Sequence, residues 1–166
     1  TGGWRPRRTG RRRTVLDSPQ VERSLDPATR ERIRQALAQV PGIAAVWVFG
    51  SFARGTPRSD SDVDFGIVLS ERGAEKHVEP RWLGDLASRL EGAVGREVDV
   101  VLLDAQGPML RHQALREGVL VYDADPERRV DFESETLSLY LDFRPTFDLA
   151  ARAAKQGFAN WLEKRK

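Results

Sequence analysis

The chain has 166 residues, of which 40% are hydrophobic and 31% charged, and its formal net charge is +2. These values are typical of one globular domain that buries a core and carries a short appendage. The lack of cysteine excludes a disulfide scaffold and cysteine-ligated zinc or iron–sulfur sites, and no apolar run approaches the ~20 residues of a membrane span. We therefore expect a cytoplasmic protein with no membrane partner.

The first 20 residues consist largely of glycine, proline and arginine, which predicts a disordered Arg-rich tail. Six arginines crowd this segment without an acid among them: Arg5, Arg7, Arg8, Arg11, Arg12 and Arg13. A solvated tail and a nucleic-acid-binding arm are both compatible with this pattern. We favour the tail and expect no direct binding of nucleic acid.

Helices and strands alternate over residues 21–125, which predicts a single domain. Asp26 suits the N-cap of a first helix, Pro27 suits its first position, and Pro41-Gly42 ends it. The later elements are predicted from apolar periodicity: strands 43–49, 63–69, 97–103 and 118–123, helices 79–94 and 107–117, and a mostly irregular segment over Gly50–Asp60.

Residues 126–166 have an all-helical pattern, which predicts a C-terminal helical extension. One helix is expected over 126–142, and Pro145 is expected to open another that runs to about 164. A seam on the second helix has heptad-like spacing and consists of Phe147, Ala151, Ala154, Phe158 and Trp161. This seam either closes the domain's own core or docks a partner chain.

Three aspartates at alternate positions, Asp60, Asp62 and Asp64, form the densest acidic group of the chain. Their spacing is similar to that of an EF-hand calcium loop, but Phe65 stands where that loop needs glycine. A helix also precedes an EF-hand loop, whereas two glycines and a proline precede these aspartates. Neither a phosphate-binding G-K-[ST] sequence nor a dinucleotide-binding G-x-G-x-x-G sequence is present. The aspartates therefore need another explanation.

Strand geometry provides that explanation. Asp62 and Asp64 project to one face of their strand, and two such carboxylates repel each other unless a cation lies between them. Asp99 interrupts another apolar strand, where a lone carboxylate is unfavourable unless it is paired or metal-bound. Three carboxylates on two strands can hold two divalent ions about 3.5–4 Å apart, as in nucleotidyl displacement. The alternative is a solvated turn whose acids cap a helix or pair with arginines.

The whole constellation resembles the nucleotidyltransferases of the DNA polymerase β superfamily, and most closely their minimal branch. Gly50-Ser51 is followed by ten residues, then Asp62-x-Asp64, then the isolated strand residue Asp99. The resemblance extends from about residue 28 to 123. It implies a small α/β (α+β) fold with a mixed sheet flanked by helices, and ATP bound with two Mg²⁺ ions.

The resemblance also implies a role for each residue of the motif. Gly50 and Ser51 would hold the triphosphate through backbone N–H groups and the serine hydroxyl. Asp62 and Asp64 would bind both ions, and Asp99 would bind the catalytic ion and help to deprotonate the attacking hydroxyl. Arg54 would either neutralise the triphosphate or pair with a loop aspartate.

The C-terminal stretch RRVDFESETLSLYLDFRP (128–145) resembles the tail of MntA-type antitoxins, which pair with HEPN-type toxins of the HepT kind. This likeness implies a hetero-oligomer in which AMP passes from ATP to a tyrosine hydroxyl of the toxin and silences it. Two other functions stay open at this point: an antitoxin that acts by binding alone, and an enzyme that modifies a small molecule such as an aminoglycoside.

Overall fold

A computed structural model of the chain describes residues 25–54 and 61–163, without the side chains of residues 157–160, 162 and 163. The predicted tail over residues 1–20, as well as Asp60, lies outside the described residues.

Four strands form a single mixed sheet in the order β3-β2-β1-β4. Their bounds are Ile43–Phe49 for β1, Val63–Leu69 for β2, Val98–Leu102 for β3 and Val119–Asp123 for β4. β1 is antiparallel to both β2 and β4, whereas β2 and β3 are parallel. The predicted mixed sheet is confirmed, and each strand lies within two residues of its predicted bounds.

Five α-helices accompany the sheet among the described residues: α1 Pro27–Ala38, α2 Gly50–Ala53, α3 Pro80–Val94, α4 Pro108–Glu117 and α5 Pro126–Glu163. Asp26 caps α1, since its carboxylate accepts the backbone N–H of Thr29 at 3.0 Å. The short helix α2 occupies the start of the segment that the sequence predicted as mostly irregular. No helix in the described ranges combines the length and the apolar character that crossing a bilayer requires.

Helices cover both faces of the sheet. Helices α1 and α3 bury one face through a cluster that includes Ile33, Leu37, Phe65, Leu86 and Leu90. Helix α4 and the first turns of α5 bury the other face through Trp47, Leu103, Ala114, Leu115 and Phe132. The central strand β1 is buried along its whole length, which explains its continuous apolar sequence.

A buried ion pair fixes the start of α5 to the sheet. Arg128 on α5 pairs with Asp104, and both side chains are more than nine-tenths buried. Asp104 also accepts the backbone N–H of Leu69 at 2.8 Å, and Arg128 donates to the carbonyl of the same residue at 3.2 Å. Burial raises the pKa of Asp104, and the bonds from Leu69 and Arg128 oppose that rise.

The predicted break between two C-terminal helices is wrong, because α5 is one 38-residue helix with Pro145 inside it. A proline in a helix removes one backbone hydrogen bond, to the carbonyl four residues earlier. Here that carbonyl belongs to Leu141, which is 55% exposed, so water can satisfy it.

The distal half of α5 does not close the core of the domain. All residues from 141 to 156 are exposed, and among the seam residues Phe147 and Trp161 are 49% and 47% exposed. The side chain of Phe158 lies outside the described set. Within the part of the chain that the structure describes, none of residues 141–156 is buried, so Phe147, Ala151 and Ala154 of the seam do not close the core there.

Candidate active site

The motif residues meet where β1 ends and where β2 and β3 begin. In the strand register Phe49 lies opposite Asp64, and Asp64 lies opposite Asp99 across the parallel pair. The starts of the two parallel strands are tied by a hydrogen bond from the Val63 N–H to the Glu97 carbonyl at 3.0 Å. The structure thus brings Gly50, Asp64 and Asp99 to one end of the sheet, with Asp62 directly before β2.

Both strand aspartates project toward the face that α4 and α5 cover. Side chains alternate along a strand, and Val63 and Phe65 point into the α1–α3 cluster. Asp64 therefore shares its face with Gly66, where an added Cβ would lie 2.8 Å from Leu103 of the opposite cluster. By the same alternation Asp99 lies between Val98 and Val100, which pack against the α1–α3 cluster.

The electrostatics of the site centre on Asp64. Burial raises the pKa of Asp64, the charges of Asp99 and Asp62 raise it further, and Arg54 opposes them. Asp62 and Asp99 are exposed, whereas Asp64 is half-buried. The site therefore combines one sheltered carboxylate with two exposed ones, whose negative charges act on it.

The carboxylate oxygens of these residues are suitable ligands for a divalent cation. Carboxylate oxygens are the ligands that Mg²⁺ prefers beside substrate phosphates, and a cation would relieve the repulsion that raises the pKa of Asp64. Among residues 25–54 and 61–163 no three His, Cys, Asp or Glu side chains are arranged as a ready metal site. Ion binding here would thus require the exposed carboxylates of Asp62 and Asp99 to turn toward Asp64.

Gly50 leaves space directly beside this group. Its φ is +73°, a conformation that favours glycine, and an added Cβ would lie 2.0 Å from Oδ2 of Asp64. Ser51 follows in α2 and is half-buried. The absence of a side chain at residue 50 therefore keeps the backbone of α2 close to the carboxylate and accessible from solvent.

Arg54 has a partner that the sequence did not indicate. Its Nη1 donates to Oε2 of Glu117 on α4 at 3.1 Å, and its side chain is 48% exposed. Pairing with a loop aspartate, one of the two roles that the sequence left open for Arg54, is not seen among the described residues, and Asp60 lies outside them. Glu117 is 63 positions away in sequence, so no local pattern could have identified it.

Sequence comparison supports the grouping suggested by these residues. Residues 31–127 match the family described as Polymerase beta, Nucleotidyltransferase. The Protein adenylyltransferase MntA of Shewanella oneidensis is 26% identical over 101 residues, which cover 61% of this chain and 68% of the relative. A relative from Methanocaldococcus jannaschii is 35% identical over 78 residues, covering 47% of this chain and 78% of that protein.

Solved structures share the fold. A toxin–antitoxin complex with AMP-PNP contains a chain that superposes with a TM-score of 0.63 at 20% identity, covering 76% of this chain and 98% of that one. The toxin–antitoxin MntA-HepT gives a TM-score of 0.58 at 18% identity and covers 76% and 97% of the two chains. At these identities the likeness establishes the fold alone.

Proposed function

This chain belongs to the Polymerase beta, Nucleotidyltransferase family, and we propose that it is an antitoxin that transfers AMP from ATP to a tyrosine hydroxyl of a HEPN-type toxin. The transfer neutralises the toxin in the cytoplasm, where ATP is available. The observation that carries the proposal is the register of Asp64 opposite Asp99 beside the open backbone of Gly50.

The resemblance to named relatives supports the choice of acceptor. The Shewanella oneidensis relative is named a protein adenylyltransferase, and structures with the same fold are of toxin–antitoxin complexes. This chain also has the exposed distal half of α5, which offers surface for a protein partner. A hetero-oligomer of the chain with its toxin follows from this proposal.

In this mechanism the backbone of Gly50 and the hydroxyl of Ser51 hold the triphosphate, and Arg54 neutralises part of its charge. Asp62, Asp64 and Asp99 would hold two Mg²⁺ ions. When bound, such ions offset the charge of the triphosphate and make the acceptor hydroxyl more acidic.

The transfer itself is an in-line displacement. The tyrosine oxygen forms a bond to the α-phosphorus, the bond from that phosphorus to the bridging β-phosphate oxygen breaks, and pyrophosphate leaves. Asp99 is exposed at the start of β3 and accepts the proton of the hydroxyl. The sheltered Asp64 would help to hold the cations that fix the position of the phosphates.

The Asp64→Asn variant tests this proposal, because it preserves shape and removes a charged ligand. We expect transfer of AMP to the toxin to fall at least ~100-fold, or about 2.7 kcal/mol in barrier, by intact-mass measurement of the co-expressed toxin. Asp85→Asn on α3 is the matched control, since Asp85 is exposed and pairs, within the described ranges, with Arg81 at 3.9 Å. Normal labelling by Asp64→Asn would exclude the catalytic assignment.

The same variant separates the two classes of antitoxin. If the chain silenced its toxin by binding alone, Asp64→Asn would still protect cells that express the toxin. An antitoxin that acts by binding alone does not need three carboxylates, so their presence favours the enzymatic class. Loss of both labelling and protection in Asp64→Asn, with protection retained in Asp85→Asn, is the result expected of an enzyme.

A further inference from the structure

A cavity of about 430 Å³ opens between α4 and α5, on the same face of the sheet as the active-site carboxylates. Its lining includes Met109, His112, Arg116, Glu117, Tyr140 and Phe147. The rings of His112 and Tyr140 stack with their centroids 3.6 Å apart and their planes 3° from parallel. The cavity thus has a rigid aromatic wall on which another apolar group can pack.

Exposed apolar side chains continue from this cavity along α5. Phe143 and Phe147, which are four residues apart on one side of the helix, are 55% and 49% exposed. Scattered apolar residues are normal on a protein surface, but a contiguous exposed patch next to a cavity marks an interaction site. We call the cavity lining together with Phe143 and Arg144 the α4–α5 face.

The α4–α5 face carries a small net positive charge, because Arg116 and Arg144 outnumber Glu117. Arg116 pairs with Glu117 at 3.1 Å, and Arg144 lies 3.9 Å from Asp148. Burial lowers the pKa of His112, and the charges of Arg116 and Arg144 lower it further, so both arginines act on the cavity wall. Beyond Arg144 the distal half of α5 carries Arg152 and Lys155 against the single acid Asp148 through residue 156. Like charge disfavours both the Arg-rich residues 1–20 and the same face of a second copy as occupants.

The α4–α5 face connects directly to the active site. Glu117 lines the cavity and binds Arg54, whose charge acts on Asp64. A protein seated on this face would lie on the side of the sheet toward which Asp64 and Asp99 project. It could therefore present a side chain for in-line attack without further movement of the sheet.

We propose that the acceptor protein docks on the α4–α5 face through a surface that is both apolar and acidic. This inference rests on the proposed function, since it names the chemistry of the partner surface that the transfer reaction requires. Tyr140 and Phe147 anchor the partner, and Arg116 and Arg144 select its acidic groups.

Two variants of the full chain test the docking, with the HEPN-type toxin of the proposed function as the probe. Phe147→Ser removes an exposed anchor, and Arg144→Glu reverses a charge. Their matched controls are Val130→Ser, at an apolar residue of α5 that is 49% exposed outside the face, and Arg81→Glu, at an exposed arginine of α3. Circular dichroism checks folding, and calorimetry measures affinity for the probe and for ATP with Mg²⁺.

We expect both face variants to lose at least ~10-fold in affinity for the probe, with unchanged ATP affinity and with unchanged controls. At saturating probe they should recover AMP transfer, because the loss of docking raises KM for the probe and leaves the active site intact. Wild-type probe affinity in both variants would overturn the docking surface. Two other results would also overturn it. The first is a wild-type chain that forms a dimer on its own, with Phe147→Ser a monomer. The second is tighter binding of the probe by a chain that lacks residues 1–20.

The outcomes for docking and for the proposed function are distinguishable. If the wild-type chain binds the probe through this face but transfers no AMP to it, docking stands and the proposed activity fails. If transfer proceeds equally well in the wild type and in both face variants at low probe concentration, the activity stands and the docking surface is wrong.

Discussion

Gly50 lies so close to Asp64 that a Cβ on residue 50 would be 2.0 Å from Oδ2 of the carboxylate. The two residues come from different elements, since Gly50 begins α2 directly after β1 and Asp64 is the second residue of β2. A side chain at residue 50 would displace the carboxylate of Asp64 even with no ligand bound. The glycine therefore serves both the backbone turn and the position of Asp64.

The Gly50→Ala variant should consequently lose AMP transfer while it still folds. The positive φ costs about 1–2 kcal/mol of stability for a residue with a Cβ, and displacement of Asp64 should lower AMP transfer at least ~100-fold. Gly73→Ala is the matched control, because Gly73 has a φ of +82° and nothing within 4 Å of an added Cβ. Urea titration and a transfer assay measure both quantities. Equal activity of the two variants would contradict the role of Gly50.

Asp99→Asn should separate nucleotide binding from chemistry. Asp62 and Asp64 still supply two carboxylates for the ion that carries the triphosphate, while the group that accepts the hydroxyl proton is lost. We expect ATP affinity with Mg²⁺ to stay near that of the wild type and turnover to fall at least ~100-fold. Calorimetry beside a single-turnover assay checks this. Wild-type values of both would leave Asp99 with a structural role only.

Glu117→Gln should release Arg54 toward the triphosphate. Arg54 is half exposed in its pair with Glu117, so the pair contributes at most about 1 kcal/mol, and its loss should raise ATP affinity by up to about 5-fold. Arg54→Gln should have the opposite effect on ATP affinity. Weaker ATP binding by Glu117→Gln would instead mean that Glu117 orients Arg54 for the phosphates.

Arg128→Ala should destabilise the protein far more than removal of an exposed arginine from the same region. It leaves the buried carboxylate of Asp104 without its charged partner, which costs about 3–5 kcal/mol of unfolding free energy. Arg72→Ala is the control, since Arg72 binds the same helix through Asp131 and Glu135 but is 57% exposed, and its loss should cost at most about 1 kcal/mol. Chemical denaturation distinguishes the two. Similar losses would show that water reaches the Arg128 pair.

The sequence predicts the sheet and most helices because their signals are local. The cap at Asp26 and the apolar runs of β1 and β2 depend only on neighbours in sequence. The proximity of Asp99 to Asp64 was also predictable, since an acid inside an apolar strand requires a partner. Asp26 completes the pattern of a helix start, and Asp99 interrupts the pattern of an apolar strand, so both are visible in the sequence.

Other features could not be predicted, for physical reasons. Proline usually ends a helix, yet α5 continues through Pro145, and the sequence around that residue does not indicate the continuation. The pairs Arg54–Glu117 and Arg128–Asp104 join side chains from separate elements. Such pairs follow from tertiary packing, and nothing in the flanking residues specifies them.

The order of the elements along the chain also sets the order in which the parts of the site are synthesised. Asp99 leaves the ribosome 35 positions after Asp64, and β4 must follow before β1 loses its open edge. Helix α5, which carries the exposed aromatic residues, is translated after the whole sheet. A nascent chain therefore contains all three carboxylates before the distal half of α5 has been synthesised.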